Sequence, residues 1–313
     1  MLEPQDINSL ITTDKKREFL LSKIKQLDPD ELVSCEAFWM GNDPIGRDTV
    51  AAYHPEKSFL LVGTSMFGAI SLACHLTSSA QLMPDVIIVD ISKQVFRCWG
   101  MTKEYFKNNE EIDAIKFVDG FIAYLEHHDF HGLSMDVYDS KSNRVFREFL
   151  LRLINDYGFE YIKKMVDKTV IIKQSWGDFN TFNIIREVYD DVDIYAYPSN
   201  IIHSISDTEG QIGVALCIEA LKPRLSVQTN LLHGEPTKVY LITDNTASNI
   251  MDILGFGPFT TQKDTTIKTK MPLKTYGMMA VKERSVQIKS EEERVGHIYT
   301  DDAEEHQTIW QFV

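Results

Sequence analysis

The sequence predicts a doubly wound α/β fold with a mostly parallel sheet, and three observations lead to this prediction. A short apolar run at 58–62 ends at Gly63, and a second apolar run follows at 85–91. Small and apolar residues at 68–76 separate the two runs, which favours a helix packed tightly on a sheet. Strand, helix and strand within about 35 residues form a βαβ unit, whose strands lie parallel.

The second half of the chain resumes this alternation. Apolar runs predict strands at 169–174, 192–197 and 238–243, and helical patterns at 179–189 and 211–221 lie between them. Strands that alternate with helices are typical of a sheet that carries helices on its faces. We therefore expect these five strands in one sheet, followed by the end of the last helix at 251–257 and a late strand pair around 276–282.

The composition narrows the classes of function. Apolar residues make up 43% and charged residues 25% of the 313 residues, close to the averages for globular domains. The formal net charge of −14 repels phosphate backbones, so nucleic-acid binding is not expected. No apolar stretch of about 18 residues and no secretory leader is found, so we expect a cytoplasmic protein that does not enter a membrane.

A glycine turn and an acid mark the candidate site. The turn from Gly63 to Gly68 follows the first strand and opens a helix, and we expect a positive φ at Gly63 and close helix packing at Gly68. Asp90 ends the second strand, where an acid accepts hydrogen bonds from ribose hydroxyls in nucleotide-binding Rossmann folds. Ser65 replaces the middle glycine of G-x-G-x-x-G. The pattern predicts a Rossmann-like nucleotide site, with a structural turn and a surface aspartate as the alternative.

Four segments of the chain resemble the class I S-adenosylmethionine-dependent methyltransferases. The resemblance spans roughly 55–100 and 168–283 and is carried by FLLVGTSMFGAIS, VIIVDIS, VIIKQSWGDF and VDIYAYPSNII. It implies that S-adenosylmethionine is the cofactor and that a small molecule accepts the methyl group. The residues that it assigns to the cofactor are Gly63, Thr64, Ser65, Gly68, Asp90, Gly177, Asp178 and Ser199.

The same resemblance implies that the loop after the fourth strand faces the acceptor. Tyr197, Asn200 and His203 are the candidate catalytic residues, with His203 as a general base. Trp176 and Tyr195 are candidates for aromatic walls beside a sulfonium, and packing residues are the alternative for both.

Two other classes of function stay open at this stage. An NAD(P)-dependent oxidoreductase is one, because Gly68 occupies the last glycine of the dinucleotide pattern. A non-catalytic binding protein is the other. The glutamates of the C-terminal tail resemble the secretion signals of bacterial type IV effectors, so such a protein could be a secreted effector.

A histidine cluster between the second and third strands is a candidate metal site. His127 and His131 are four residues apart, with His128 between them and Asp136 nearby. The H-E-x-x-H pattern is absent, and Gly132 favours a loop. We expect a polar surface or a contact within the lobe, and no bound metal.

The predicted domain organisation has four parts. A helical cap is expected at 1–55 and an acidic tail at 286–313. The Rossmann-like domain is expected to comprise 56–102 and 168–285. Charged helical patterns at 103–167 predict a helical lobe inserted between its second and third strands.

Overall fold

The computed structural model describes residues 13–27, 30, 32–33, 45–77, 83–128, 140–230 and 238–257. Its strands are β1 (Phe59–Gly63), β2 (Asp85–Asp90), β3 (Val170–Lys173), β4 (Asp193–Ser199), β5 (Leu225–Thr229) and β6 (Val239–Ile242). Its α-helices are α1 (Thr13–Ile24), α2 (Arg47–Val50), α3 (Phe67–Leu76), α4 (Lys93–Asn108), α5 (Ala114–His127), α6 (Ser140–Tyr157), α7 (Phe159–Lys168), α8 (Phe179–Val188), α9 (Ile201–Ser204), α10 (Thr208–Leu221) and α11 (Ala247–Ile253). A 3-10 turn at Ala51–Tyr53 follows α2.

The six strands form one sheet in the order β3-β2-β1-β4-β5-β6. The first five lie parallel, and β6 lies antiparallel to β5 at the sheet edge. This arrangement confirms the predicted α/β fold with a mostly parallel sheet. The prediction missed β5, so the run at 238–243 is the sixth strand and not the fifth.

Helices cover both faces of the sheet because successive strand residues point to opposite sides. Phe59 and Leu61 of β1 belong to the core beneath α3 to α7, whereas Leu60 and Val62 belong to the core beneath α8, α10 and α11. All five residues of β1 are buried, as expected for a central strand of a parallel sheet.

The strand order reverses beside β1. The chain moves outward from β1 through β2 to β3 and then returns to place β4 on the other side of β1. In open α/β sheets such a reversal leaves a crevice at the carboxyl ends of the two central strands, where ligands bind. Here Gly63 at the end of β1 pairs with Tyr197 of β4.

The region predicted as a helical lobe is helical in the structure: α5 and α6 lie inside its bounds, and α7 ends one residue beyond them. These helices share one apolar core with a face of the sheet. Phe117 of α5 and Phe146 of α6 are buried there together with Phe67 of α3. The division of the chain at 103 and 167 stays a prediction.

The first helix joins the second face of the sheet. Leu20 is fully buried in that core, and α1 packs against α8. Arg17 forms an ion pair with Asp85 at the start of β2, and both side chains are only 11–12% exposed. Lys16 pairs with Asp191, whose side chain is 46% exposed.

Within the described residues, no helix is both long and apolar enough to cross a bilayer.

We predict that Arg17→Gln lowers the free energy of unfolding by roughly 3 kcal/mol, because it leaves the buried carboxylate of Asp85 without its cation. The matched control is Lys16→Gln, which should cost less than about 1 kcal/mol because its partner Asp191 is solvated. Urea denaturation of the two variants measures both values. Equal losses would contradict the assignment of Arg17 as the residue that anchors α1.

Candidate functional site

The candidate site lies at the carboxyl ends of β1, β2 and β4. Gly63 is in register with Ile88 of β2 and Tyr197 of β4, so the three strands end side by side. A Cβ atom at Gly63 would lie 2.9 Å from the Cβ of Ala69, which is closer than two such atoms approach. Glycine is therefore needed where β1 turns into α3.

The left-handed residue of the turn is Ser65, with a φ of 62°, and not Gly63. The expectation of a positive φ at Gly63 is wrong, because Gly63 still has strand geometry and is constrained by the contact with Ala69. The structure shows a close approach between turn and helix at Gly63. Gly68 is partly exposed in the first turn of α3, and its close packing stays a prediction.

Two hydrogen bonds hold Ser65 in this conformation. The indole Nε1 of Trp99 in α4 donates to the carbonyl oxygen of Ser65 at 2.8 Å. The Ser65 N–H donates to Oδ2 of Asp90 at 3.1 Å. A left-handed conformation is costly for residues other than glycine and persists where the surroundings fix it. No sequence pattern indicated the role of Trp99, which is fully buried.

Asp90 joins the turn to the end of β2. Its Oδ2 also accepts from the Thr64 hydroxyl at 2.7 Å, and its Oδ1 accepts from the Ser92 N–H at 2.8 Å. Burial raises the pKa of Asp90, although these hydrogen bonds and the N–H of Ile91 act in the opposite direction. The structure thus brings together the two features that the sequence singled out, the glycine turn and the acid.

The loop after β3 makes mainly structural contacts. The Trp176 indole is buried, and its Nε1 donates to the Val89 carbonyl at 2.9 Å. The Gly177 N–H donates to the Ser175 hydroxyl at 3.0 Å. Asp178 caps α8, and its Oδ2 accepts from the Thr181 hydroxyl at 2.6 Å. The proposed place of Asp178 beside an adenine stays a prediction.

Tyr195 and Trp176 are packing residues in the described structure. The hydroxyl of Tyr195 donates to the Tyr53 carbonyl at 2.8 Å, and its fully buried ring packs edge-on against Phe59. The ring of Trp176 packs 4.9 Å from that of Phe182. The packing alternative therefore accounts for the observed contacts of both residues.

The end of β4 places the candidate catalytic residues in different environments. Tyr197 is 2% exposed and forms part of the core beside Gly63. Ser199 has a φ of 55°, so a second left-handed serine lies at this edge, and Asn200 precedes α9 without a side-chain cap. His203 is half-buried in α9, with its ring 5.0 Å from that of Phe256.

Part of the N-terminal chain reaches the same edge. Asp30 accepts a hydrogen bond from the Ser175 N–H at 2.8 Å. Val33 donates to the Ile91 carbonyl and accepts from the Lys93 N–H, each at 2.9 Å. Residues that precede β1 therefore lie against the ends of β2 and β3, beside Asp90.

The histidine pair that the structure describes makes local contacts. Nδ1 of His128 lies 2.7 Å from the Tyr124 carbonyl oxygen, and the rings of His127 and His128 meet edge to face. His131 and Asp136 lie outside the described residues. Across the described parts of the chain, no group of three or more potential ligands could hold a metal ion.

Comparison with known proteins leaves the family open. No protein-family model matches the chain, and no curated protein matches it significantly. The candidate site is therefore judged on its own geometry.

We predict that Ser65→Val lowers the free energy of unfolding by about 1–3 kcal/mol, since a β-branched residue is strained at this φ. Ser65→Gly is the matched control and should stay within about 1 kcal/mol of the wild type, because glycine adopts the conformation freely. Thermal or urea unfolding gives both numbers. A valine variant as stable as the glycine variant would show that the turn is not held in this conformation.

Proposed function

We propose that the protein transfers a methyl group from S-adenosylmethionine to a small-molecule acceptor. The observation that carries the proposal is the junction of the glycine turn with Asp90, through hydrogen bonds of 2.7 Å from Thr64 and 3.1 Å from Ser65. It lies at the edge where the strand order reverses, which is where ligands bind in such sheets. The resemblance of four sequence segments to the class I methyltransferases is the reason for proposing S-adenosylmethionine rather than another cofactor that contains a nucleoside.

The proposed roles follow from the position of each residue. The turn that includes Gly63, Thr64, Ser65 and Gly68 faces the amino-acid end of the cofactor, and the N-terminus of α3 would lie beside its carboxylate. Asp90 accepts hydrogen bonds from the ribose. The remaining contacts are assigned to Gly177 and Asp178 beside the adenine and to Ser199 after β4.

Ribose binding requires an exchange of hydrogen bonds at Asp90. A carboxylate offers about four acceptor positions. Thr64, Ser65 and Ser92 donate to that of Asp90, and the N–H of Ile91 also acts on it. The Thr64 hydroxyl is the donor that can rotate away, whereas the main-chain N–H groups are fixed. A ribose hydroxyl would take the position of the Thr64 hydroxyl.

Bound S-adenosylmethionine supplies an electrophilic methyl group on a sulfonium. The chain would position the acceptor in line with that group and exclude water. Tyr197, as part of the core, forms the floor of the site, and Asn200 and His203 follow on the loop that faces the acceptor. We assign the role of general base to His203.

We further propose that the helical cap at 1–55 and the helical lobe at 103–167 enclose the site and limit it to small acceptors. The contacts of Asp30 and Val33 at the ends of β2 and β3 support the part of this proposal that concerns the cap. A cytoplasmic location is part of the same proposal.

We predict that Asp90→Ala weakens S-adenosylmethionine binding by about 1–3 kcal/mol, because a hydrogen-bonded partner of the ribose is lost. Asp193→Ala is the matched control, since this aspartate begins β4, at the opposite end of the strands from the site, and forms an exposed ion pair with Arg224, so affinity should be unchanged. Isothermal titration calorimetry gives both affinities, and a thermal melt confirms that each variant is folded. Equal affinity of Asp90→Ala and wild type would remove Asp90 from the site.

A dinucleotide is the second candidate ligand, and the strand order favours it. The order 3-2-1-4-5-6 is that of the dinucleotide-binding Rossmann fold, although β6 lies antiparallel here. Asp90 would then hold the ribose of NAD, and the protein would be an oxidoreductase.

Titration with three ligands separates the candidate functions. Saturable heat with S-adenosylmethionine and its demethylated product, and none with NADH, is the expected result. Heat with NADH alone would replace the proposal with the oxidoreductase. Absence of binding by all three would favour a non-catalytic binding protein, including a secreted effector.

A further inference from the structure

Two buried nitrogen atoms near the carboxyl ends of β4 and β5 have no hydrogen-bond partner in the structure. They are Nδ1 of His203 and Nδ2 of Asn230. Asn230 is only 1% exposed. Buried polar groups are nearly always hydrogen-bonded in folded proteins, so each exception calls for an explanation such as an absent water or ligand.

The side chain of Asn230 and the helix that carries His203 lie on the same face of the sheet. Gln228 of β5 pairs with Tyr240, which packs into the core beneath α10 and α11. Side chains alternate along a strand, so Asn230 points to the face of Gln228. Next to His203 in α9, Ile202 is buried in that same core.

The two residues are also neighbours. Main-chain groups of Thr229 and Leu254 lie close enough to the imidazole of His203 to raise its pKa. Thr229 directly precedes Asn230, so the histidine ring lies beside the chain segment that carries the amide. Phe256, whose ring is 36% exposed, packs on the other side of the histidine.

Hydrogen bonding defines the chemical character of each nitrogen. We assign the ring proton of His203 to Nε2, because Nδ1 has no hydrogen-bond partner and main-chain groups of Thr229 and Leu254 act on the ring. Burial lowers the pKa of His203, which favours the neutral ring with a free lone pair on Nδ1. The Lys238 N–H donates to Oδ1 of Asn230 at 2.6 Å, which fixes the amide so that Nδ2 is the unpartnered donor.

We infer that His203 and Asn230 form a subsite for a neutral hydroxyl group carried on an aromatic ligand. A hydroxyl oxygen can accept from the Asn230 amide while its proton is donated to Nδ1 of His203. A carboxylate has no proton for Nδ1, and an ammonium has no lone pair for the amide. The exposed ring of Phe256 and the side chain of Leu254 provide an apolar contact for the body of the ligand.

The reaction assigned to this subsite rests on the proposed function. The acceptor oxygen forms a bond to the methyl carbon of the sulfonium donor, and the bond between sulfur and that carbon breaks. Sulfur keeps the electron pair and becomes a neutral thioether, and the hydroxyl proton moves to Nδ1 of His203. Asn230 holds the oxygen in place and is a positioning residue for the attack.

The test uses phenol as the probe and ¹⁵N-labelled full-length protein. Histidine and side-chain amide ¹⁵N spectra are recorded during titration, with His203→Gln to assign the imidazole signals. We expect a neutral His203 with its proton on Nε2, and saturable shifts of Nδ1 and of the Asn230 amide when phenol is added. Toluene and benzoate, which lack the neutral hydroxyl, should bind at least about ten-fold more weakly.

The chain offers a matched control for the amide. Thr229 is as buried as Asn230, and its hydroxyl also has no partner in the structure, but its side chain lies on the opposite face with Val227. Asn230→Leu should weaken phenol binding about ten-fold, whereas Thr229→Val should leave it unchanged. Asn230→Asp keeps the oxygen that accepts from the Lys238 N–H and loses the Nδ2 donor to the ligand. It replaces the leucine variant in this test if that variant does not fold.

Three results would overturn the subsite: a proton on Nδ1 of His203, equal binding of phenol and toluene, or equal effects of the Thr229 and Asn230 variants. Calorimetry with S-adenosylmethionine on the same samples keeps the two proposals apart. Phenol binding without cofactor binding would reject the methyltransferase and keep the subsite. Cofactor binding without phenol binding would reject the subsite alone.

Discussion

The hydrogen bonds of Asp90 with the turn after β1 are the constraint on which the site depends. Oδ2 of Asp90 accepts hydrogen bonds from the Thr64 hydroxyl and the Ser65 N–H, and Oδ1 accepts one from the Ser92 N–H. The carboxylate therefore fixes the start of α3 and the start of α4 relative to the ends of β1 and β2. A buried carboxylate loses its hydrogen bonds to water and needs donors from the protein in their place. This need explains why several donors converge on Asp90.

Local signals were sufficient for the centre of the fold. The apolar runs that became β1 and β2, and the glycine between β1 and α3, are short-range features that a sequence displays directly. β5 was missed because Ser226 and Gln228 interrupt its apolar residues, although all five of its residues are buried. Their burial comes from neighbouring strands on both sides, which is a tertiary effect that no local pattern contains.

The candidate site was predictable in its location and less so in its detail. Asp90 and the turn were identified from their places at two strand ends. The conformation of Ser65 was not, because it depends on a hydrogen bond from Trp99, which is distant in sequence. Asp178 was identified from its motif position, but its side chain caps the N-terminus of α8. An acid at this spacing can serve as a ligand contact or as a helix cap, so spacing alone does not distinguish the two roles.

The aromatic residues of α3, α5 and α6 have a consequence for motion. Because Phe67, Phe117, Phe121 and Phe146 belong to one core with the sheet, α5 and α6 cannot swing away as a rigid lid without exposing those rings to water. This half of the molecule should open and close as a single cooperative unit with the sheet. Small molecules would then enter and leave through segments with fewer core contacts at the edge of the site. The helices α5 and α6 would stay in place against the sheet.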